Sequence, residues 1–187
     1  MRSRIRIFIF QLLYHFDSVV SVVADGLAKE ILSANKSLDH QKPRILVLFE
    51  GRFRGFGLEC LNKCDEFQIL VTPDEIFGRQ YSRFYLPGED CFAHWSTPRV
   101  ARHQKRYRKF LCKLLPKLYS RLGVQMVLSP GFRYQVLIDW GAVSDELGIP
   151  YIVFHREGYA GSQSQNQRLV SHGDGGRMFE GSHLAVQ

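Results

Sequence analysis

Cysteine is scarce and unpaired in this sequence. Cys60, Cys64, Cys91 and Cys112 are the only four, and none belongs to a C-x-x-C pair. Cys60 and Cys64 stand four apart, which puts both on one face if their segment is helical. No two further ligands stand at metal-binding spacing, so no metal site is expected. Thiols that are neither bridged nor metal-bound suit a reducing cytoplasm. Long apolar runs are missing as well. Arg2, Arg4 and Arg6 precede Ile7 to Phe10 and then Leu12, Leu13, Tyr14 and Phe16, an order of charge and apolarity that imitates a signal peptide. His15 and Asp17 interrupt the run, and no convincing A-x-A-like cleavage site follows. No stretch reaches the roughly 18–20 residues of a spanning helix. An amphipathic helix remains, with two uses: lying on an anionic membrane surface, or packing on the domain that follows.

What is present is ordinary for a folded chain. Of the 187 residues, 45% are hydrophobic and 23% charged, enough for one real core. The net charge of +7 favours anionic partners without choosing among nucleotides, nucleic acid and acidic lipid.

The organisation follows from periodicity. Residues 1–42 read as an N-terminal helical segment and linker. Within it, Leu12, Phe16, Val19, Val20, Val23, Leu27 and Ile31 recur at three- and four-residue steps, as one long helix or two over about 5–34. Residues 43–159 read as a Rossmann-like α/β domain. Continuous apolar runs at 44–49, 67–71, 125–128 and 149–154 suit strands buried on both faces. Helices are predicted between them at about 56–64 and 134–147, and from Thr97-Pro98 onward. Thr97 is a good cap and Pro98 is preset for a first helical position. Pro116 is expected to kink or restart that helix near Leu115, and Gly123 to end it. Residues 75–95 are expected to be loops with short irregular helices. The alternation implies right-handed crossovers and a parallel sheet.

Chemistry in such a sheet sits beyond the carboxyl ends of the strands. Three segments qualify. The first, Glu50 to Gly57, carries Gly51, Gly55 and Gly57 with Arg52 and Arg54, but lacks the G-x-G-x-x-G spacing of a dinucleotide site. Its glycines permit close backbone approach to a ligand; a βα loop with solvated arginines is the plainer reading. The second, Ser129 to Arg133, follows the third strand. The third is His155-Arg156-Glu157-Gly158. His155 or Glu157 there suits a general base on a sugar hydroxyl, and Arg156 an anion. A hydrogen-bonded strand end is the alternative. Finally, acid is absent from Arg99 to Arg121. Arg102, Arg106, Lys109 and Lys113 share one face of the helix read there. That face suits lipid headgroups or nucleic-acid phosphates, or is simply solvated. No RNP, zinc-finger or helix-turn-helix pattern supports nucleic acid.

The segment Gly148-Ile149-Pro150-Tyr151-Ile152-Val153-Phe154-His155-Arg156-Glu157-Gly158 resembles a GIPxVVLHKEG-like strand and turn of GT-B type bacterial surface-polysaccharide glycosyltransferases. Phe179-Glu180-Gly181-Ser182-His183-Leu184-Ala185-Val186 is similar to an F-x-G-x-x-x-A-V strand of the same enzymes and of nucleotide-sugar 2-epimerases. The resemblance implies the N-terminal, acceptor-side half of a two-domain enzyme. A nucleotide-sugar would be the co-substrate, a glycan or lipid-linked acceptor the partner, and no other cofactor is implied. It maps His155 and Glu157 onto the family's His and Glu, with Arg156 in place of lysine. Residues 160–187 then read as a polar tail and the start of a further strand. The chain is expected to be a fragment, inactive without its C-terminal domain, and to work in the cytoplasm, peripherally on the inner membrane face. The competing expectation is a non-enzymatic basic α/β module that binds an anionic surface or nucleic acid.

Overall fold

The apolar runs pair with one another side by side. The computed structural model describes residues 9–35, 41–48, 63, 65–85, 97–130, 135–155 and 183–186. A helical turn at residues 9–13 leads to α1 (Asp17–Ala34), β1 (Arg44–Val47), β2 (Gln68–Val71) and α2 (Asp74–Tyr81). Then come α3 (Pro98–Leu122), β3 (Val124–Ser129), α4 (Gln135–Glu146), β4 (Tyr151–His155) and β5 (His183–Val186). Apart from Lys63, the predicted helix at 56–64 lies outside the described residues, as do Cys60, Cys64 and Cys91.

The five strands form one sheet in the order β2-β1-β3-β4-β5, and every pair is parallel. This is the α/β, Rossmann-like architecture that the strand–helix alternation implies. Alternate residues serve opposite faces. On one face Leu46, Leu48, Leu70, Val127, Tyr151 and Val153 join a large core with the helices α1, α3 and α4. On the other, Ile45, Val47, Ile69 and Leu128 form a smaller buried cluster. The edge strand β2 is partly covered by Asn35, the residue after α1. Its side-chain amide accepts from the Val71 N–H at 2.9 Å and donates to the Val71 carbonyl at 3.0 Å. That mimics a neighbouring strand and leaves less of the edge open to a foreign one.

α3 carries the core. Nine of its residues are buried, among them Tyr107, Phe110, Leu111, Leu114 and Leu118. Thr97 caps its start, accepting from the Val100 N–H at 3.3 Å. Gly123 ends it with φ 65°, a conformation that favours glycine. Arg44 of β1 donates to the carbonyl of Leu122 at 2.7 Å and so satisfies the helix's last turn. Removing the cap with Thr97→Ala is expected to cost about 1 kcal/mol, read as a lower urea midpoint at unchanged slope.

Two local expectations change, and of the one or two helices expected at the N-terminus there are two. Pro116 does not interrupt α3, which is one helix from Pro98 to Leu122. A mid-helix proline costs roughly 3 kcal/mol, and residues buried on both sides of it, Leu114, Leu115, Leu118 and Tyr119, hold the helix together across it. Within 75–95, an eight-residue regular helix, α2, forms, with Asp74 and Glu75 in its first turn facing the positive end of the helix dipole. The N-terminal segment is two helical pieces. Phe16 is extended (φ −83°, ψ 126°) between them, and Lys113 of α3 donates to the His15 carbonyl there at 2.7 Å.

That break resets the phase of the apolar stripe. In α1, Val20, Ala24, Leu27, Ala28 and Ile31 are buried as the stripe requires. Leu12 and Phe16 are not; Phe10 and Tyr14 turn inward instead, against Phe84 and Phe110. Ion pairs line the seam: Asp17 with Lys113 (3.3 Å) and Lys117 (3.8 Å), Asp25 with Arg121, and Glu30 with Arg79. Exposed pairs of this kind contribute about 0–1 kcal/mol each, so the apolar stripe holds α1 and the charges orient it.

Candidate functional site

The strand order 2-1-3-4-5 reverses direction between β1 and β3. In open parallel sheets such a reversal is the point where ligands bind, beyond the carboxyl ends of the strands. Leu48 and Ser129 stand at that point; the Leu48 N–H donates to the Leu128 carbonyl at 2.8 Å. The segment that follows β1 in sequence holds most of the expected binding residues, and the one that follows β3 holds Arg133. Glu50, Gly51, Arg52, Gly55 and Gly57 of the first, and Arg133 of the second, lie outside the described residues. So do Arg156 and Glu157. The two described members of the expected set, Ser129 and His155, both end strands at this edge. Ser129 is level with Val153 in the sheet, so β4 carries His155 two residues further out, roughly 7 Å.

Ser129 itself is fully buried. Its hydroxyl is hydrogen-bonded to the phenol of Tyr151, which also donates to the Leu137 carbonyl at 2.9 Å. Its side chain therefore ties β3 and β4 to the start of α4, while its backbone ends β3 at the switch point. Thr72, just past β2 on the same edge, is also fully buried, and its hydroxyl has no hydrogen-bond partner among the described residues.

Behind this edge lies a polar cluster that no sequence pattern indicated. Asp139, one turn into α4, is fully buried. One carboxylate oxygen accepts from Arg108 Nε at 2.7 Å and from Gln104 Nε2 at 3.1 Å; the other accepts from the Tyr85 hydroxyl at 2.7 Å. Burial pushes the carboxyl up to about 6, against the opposing pull of Arg108 and the three hydrogen bonds. Tyr81 stacks on Tyr85 at 4.4 Å, and His103 meets the Tyr85 ring edge-on at 6.0 Å. Next to it, Trp140 donates to the Tyr107 hydroxyl at 3.0 Å. Burial holds the phenols of Tyr85 and Tyr107 far above their ordinary range, so they stay neutral donors. A value near 6 lies in the range useful for proton transfer, but both oxygens of Asp139 are engaged. The cluster's work is to join α3, α4 and the turn after α2. One clue to it exists in the sequence: Asp139 is the sole acid in the apolar run Val136 to Trp140.

The basic face of α3 divides. Lys113 is committed to the His15 carbonyl and Asp17. Arg102, Arg106 and Lys109 are exposed. Cys112 is exposed too, and partial burial of its thiol together with Glu146, 3.9 Å away, pushes its pKa above the ordinary thiol value. Among the described residues, no group of three or more His, Cys, Asp or Glu stands together to hold a metal ion, and no helix is long and apolar enough to cross a membrane.

Fold and edge together define a parallel, Rossmann-like α/β domain whose strand order reverses between β1 and β3. Comparison with family models, with curated proteins and with solved structures finds no match for this chain.

Proposed function

We propose that this chain is the acceptor-side domain of a glycosyltransferase of bacterial surface-polysaccharide synthesis, moving a sugar from a nucleotide-sugar to a hydroxyl acceptor. One observation supports the reading: at the β1/β3 switch point β1 ends shortly before the glycine- and arginine-bearing stretch Glu50–Gly57 in sequence, and β4 ends in His155 at the same edge of the sheet. The resemblance of 148–158 and 179–186 to GT-B enzymes supplies the reaction class. In this reading His155 or Glu157 removes the proton from the acceptor hydroxyl as it attacks the anomeric carbon, and the nucleotide diphosphate leaves. Arg52, Arg133 and Arg156 offset the phosphate charge, and Glu50, Gly51, Gly55, Gly57 and Ser129 shape the site. The place of work is the cytoplasmic side of the membrane, peripherally. The donor half of the reaction belongs to a second domain of the same kind.

The test uses the product of the entire gene, incubated with a panel of radiolabelled nucleotide-sugars and membranes of the producing cell. Label is expected to enter lipid-extractable glycan with release of nucleotide. Release of neither across the panel overturns the proposal.

A further inference from the structure

The helical turn at residues 9–13 buries one apolar face and presents another. Inward, Phe10 packs on Phe84 and Phe110 at ring distances of 6.0 and 5.5 Å, Tyr14 packs on the same two rings, and Arg83 sits 4.3 Å over the Phe10 ring. Gln11 Nε2 donates to the Arg83 carbonyl at 2.7 Å. The turn is therefore fixed in place. Outward stand Ile9, Leu12, Leu13 and Phe16, with 47, 54, 40 and 60% of their surfaces exposed. Positions 9, 12 and 13 fall on one face of the helical turn, and Phe16, extended just after it, is exposed as well. A solvated surface would carry polar residues there; this one carries four large apolar side chains.

The neighbouring surface is cationic. Phe110 touches both inward rings, Arg106 acts electrostatically on the Tyr14 phenol, and Lys113 holds the His15 carbonyl. Residues 106–113 of α3 thus lie alongside the turn. Arg102, Arg106 and Lys109 are exposed and form no hydrogen bond or ion pair among the described residues. α3 contains no acid to neutralise them.

We propose that the ridge Ile9-Leu12-Leu13-Phe16 and the flank Arg102-Arg106-Lys109 are one docking surface for an anionic lipid bilayer. Apolar side chains enter the boundary between headgroups and acyl chains while the cations stay among the phosphates. Each half excludes a different competitor. Nucleic acid would use the cations and leave the ridge in water. A purely apolar partner would use the ridge and leave the cations unmatched. The inference deepens the peripheral placement proposed above, but it needs none of the sugar chemistry.

Flotation with vesicles of phosphatidylcholine alone, or with 30% phosphatidylglycerol, tests it (the vesicle composition being on the order of a typical anionic membrane). Binding is expected on the anionic vesicles and to weaken with salt. Leu12→Glu with Phe16→Glu, and separately Arg106→Glu with Lys109→Glu, are each expected to lower partitioning by about tenfold or more. All four side chains are exposed, so circular dichroism and melting temperature should match the parent. Equal binding to neutral vesicles, absence of binding, or RNA binding that survives Leu12→Glu/Phe16→Glu each overturns the proposal. So does a dimer that those two substitutions dissolve, because the ridge would then belong to a second copy. Vesicle binding without sugar transfer would refute the enzymatic reading alone, and transfer without vesicle binding would refute this surface alone.

Discussion

Asp139→Ala is expected to lower the unfolding free energy by about 3–5 kcal/mol, the cost of breaking a buried ion pair from one side. The substitution strands the Arg108 guanidinium, the Gln104 amide and the Tyr85 hydroxyl, which all donate to this carboxylate. Domains are typically stable by only about 5–15 kcal/mol, so the loss is a large share of the total. Asp139→Asn keeps the shape and tests the charge by itself. The folded carboxyl titrates at about 6, above the ordinary 3.8, because burial outweighs Arg108. The folded state thus binds this proton more tightly. Its contribution to stability is complete below about pH 4 and is lost as pH rises through about 6. Urea midpoints across that window are expected to fall with rising pH in the parent, and to fall less in Asp139→Asn. Identical slopes in the two proteins would show that the carboxyl is not held as described.

The second large effect is chemical. In the product of the entire gene, His155→Ala or Glu157→Ala is expected to slow sugar transfer by about 10²–10⁴-fold, the usual contribution of a positioned general base. His155 closes β4, and its backbone pairs with Val186. A side-chain truncation there spares the strand register. If His155 is the base, kcat/KM in the parent rises with pH through the imidazole range, and the alanine variant loses that limb. If Glu157 is the base, only its variant changes the profile. Full activity in both variants removes the pair from the mechanism.

The strands were legible because a parallel strand is buried on both faces, and Arg44–Val47, Gln68–Val71, Val124–Ser129 and Tyr151–His155 coincide closely with the apolar runs. The ends of α3 were legible for local reasons: Thr97 supplies a cap acceptor and Gly123 accepts a left-handed turn. What failed to show was decided by tertiary contact. Pro116 reads as a breaker, but packing along α3 outweighs its local cost. Leu12 and Phe16 continue the stripe of α1 on paper, but the extended Phe16 rotates the preceding turn and brings Phe10 and Tyr14 inward. Asp139 carries no motif, since its partners Tyr85, Gln104 and Arg108 are 54, 35 and 31 residues distant in sequence. The strand order, and with it the switch point, follows from pairing that no single segment encodes.

The central claim is that the carboxyl edge between β1 and β3 receives the substrate. Amide chemical-shift mapping of this chain tests it directly, with a water-soluble short-chain prenyl-diphosphate sugar and a panel of nucleotide-sugars as probes. Saturable shifts are expected at Leu48, Ser129, Phe154 and His155, with Val22 on α1 and Gln125 at the opposite end of β3 unmoved. Shifts confined to α1 and α3, or an edge that no probe perturbs, would contradict it.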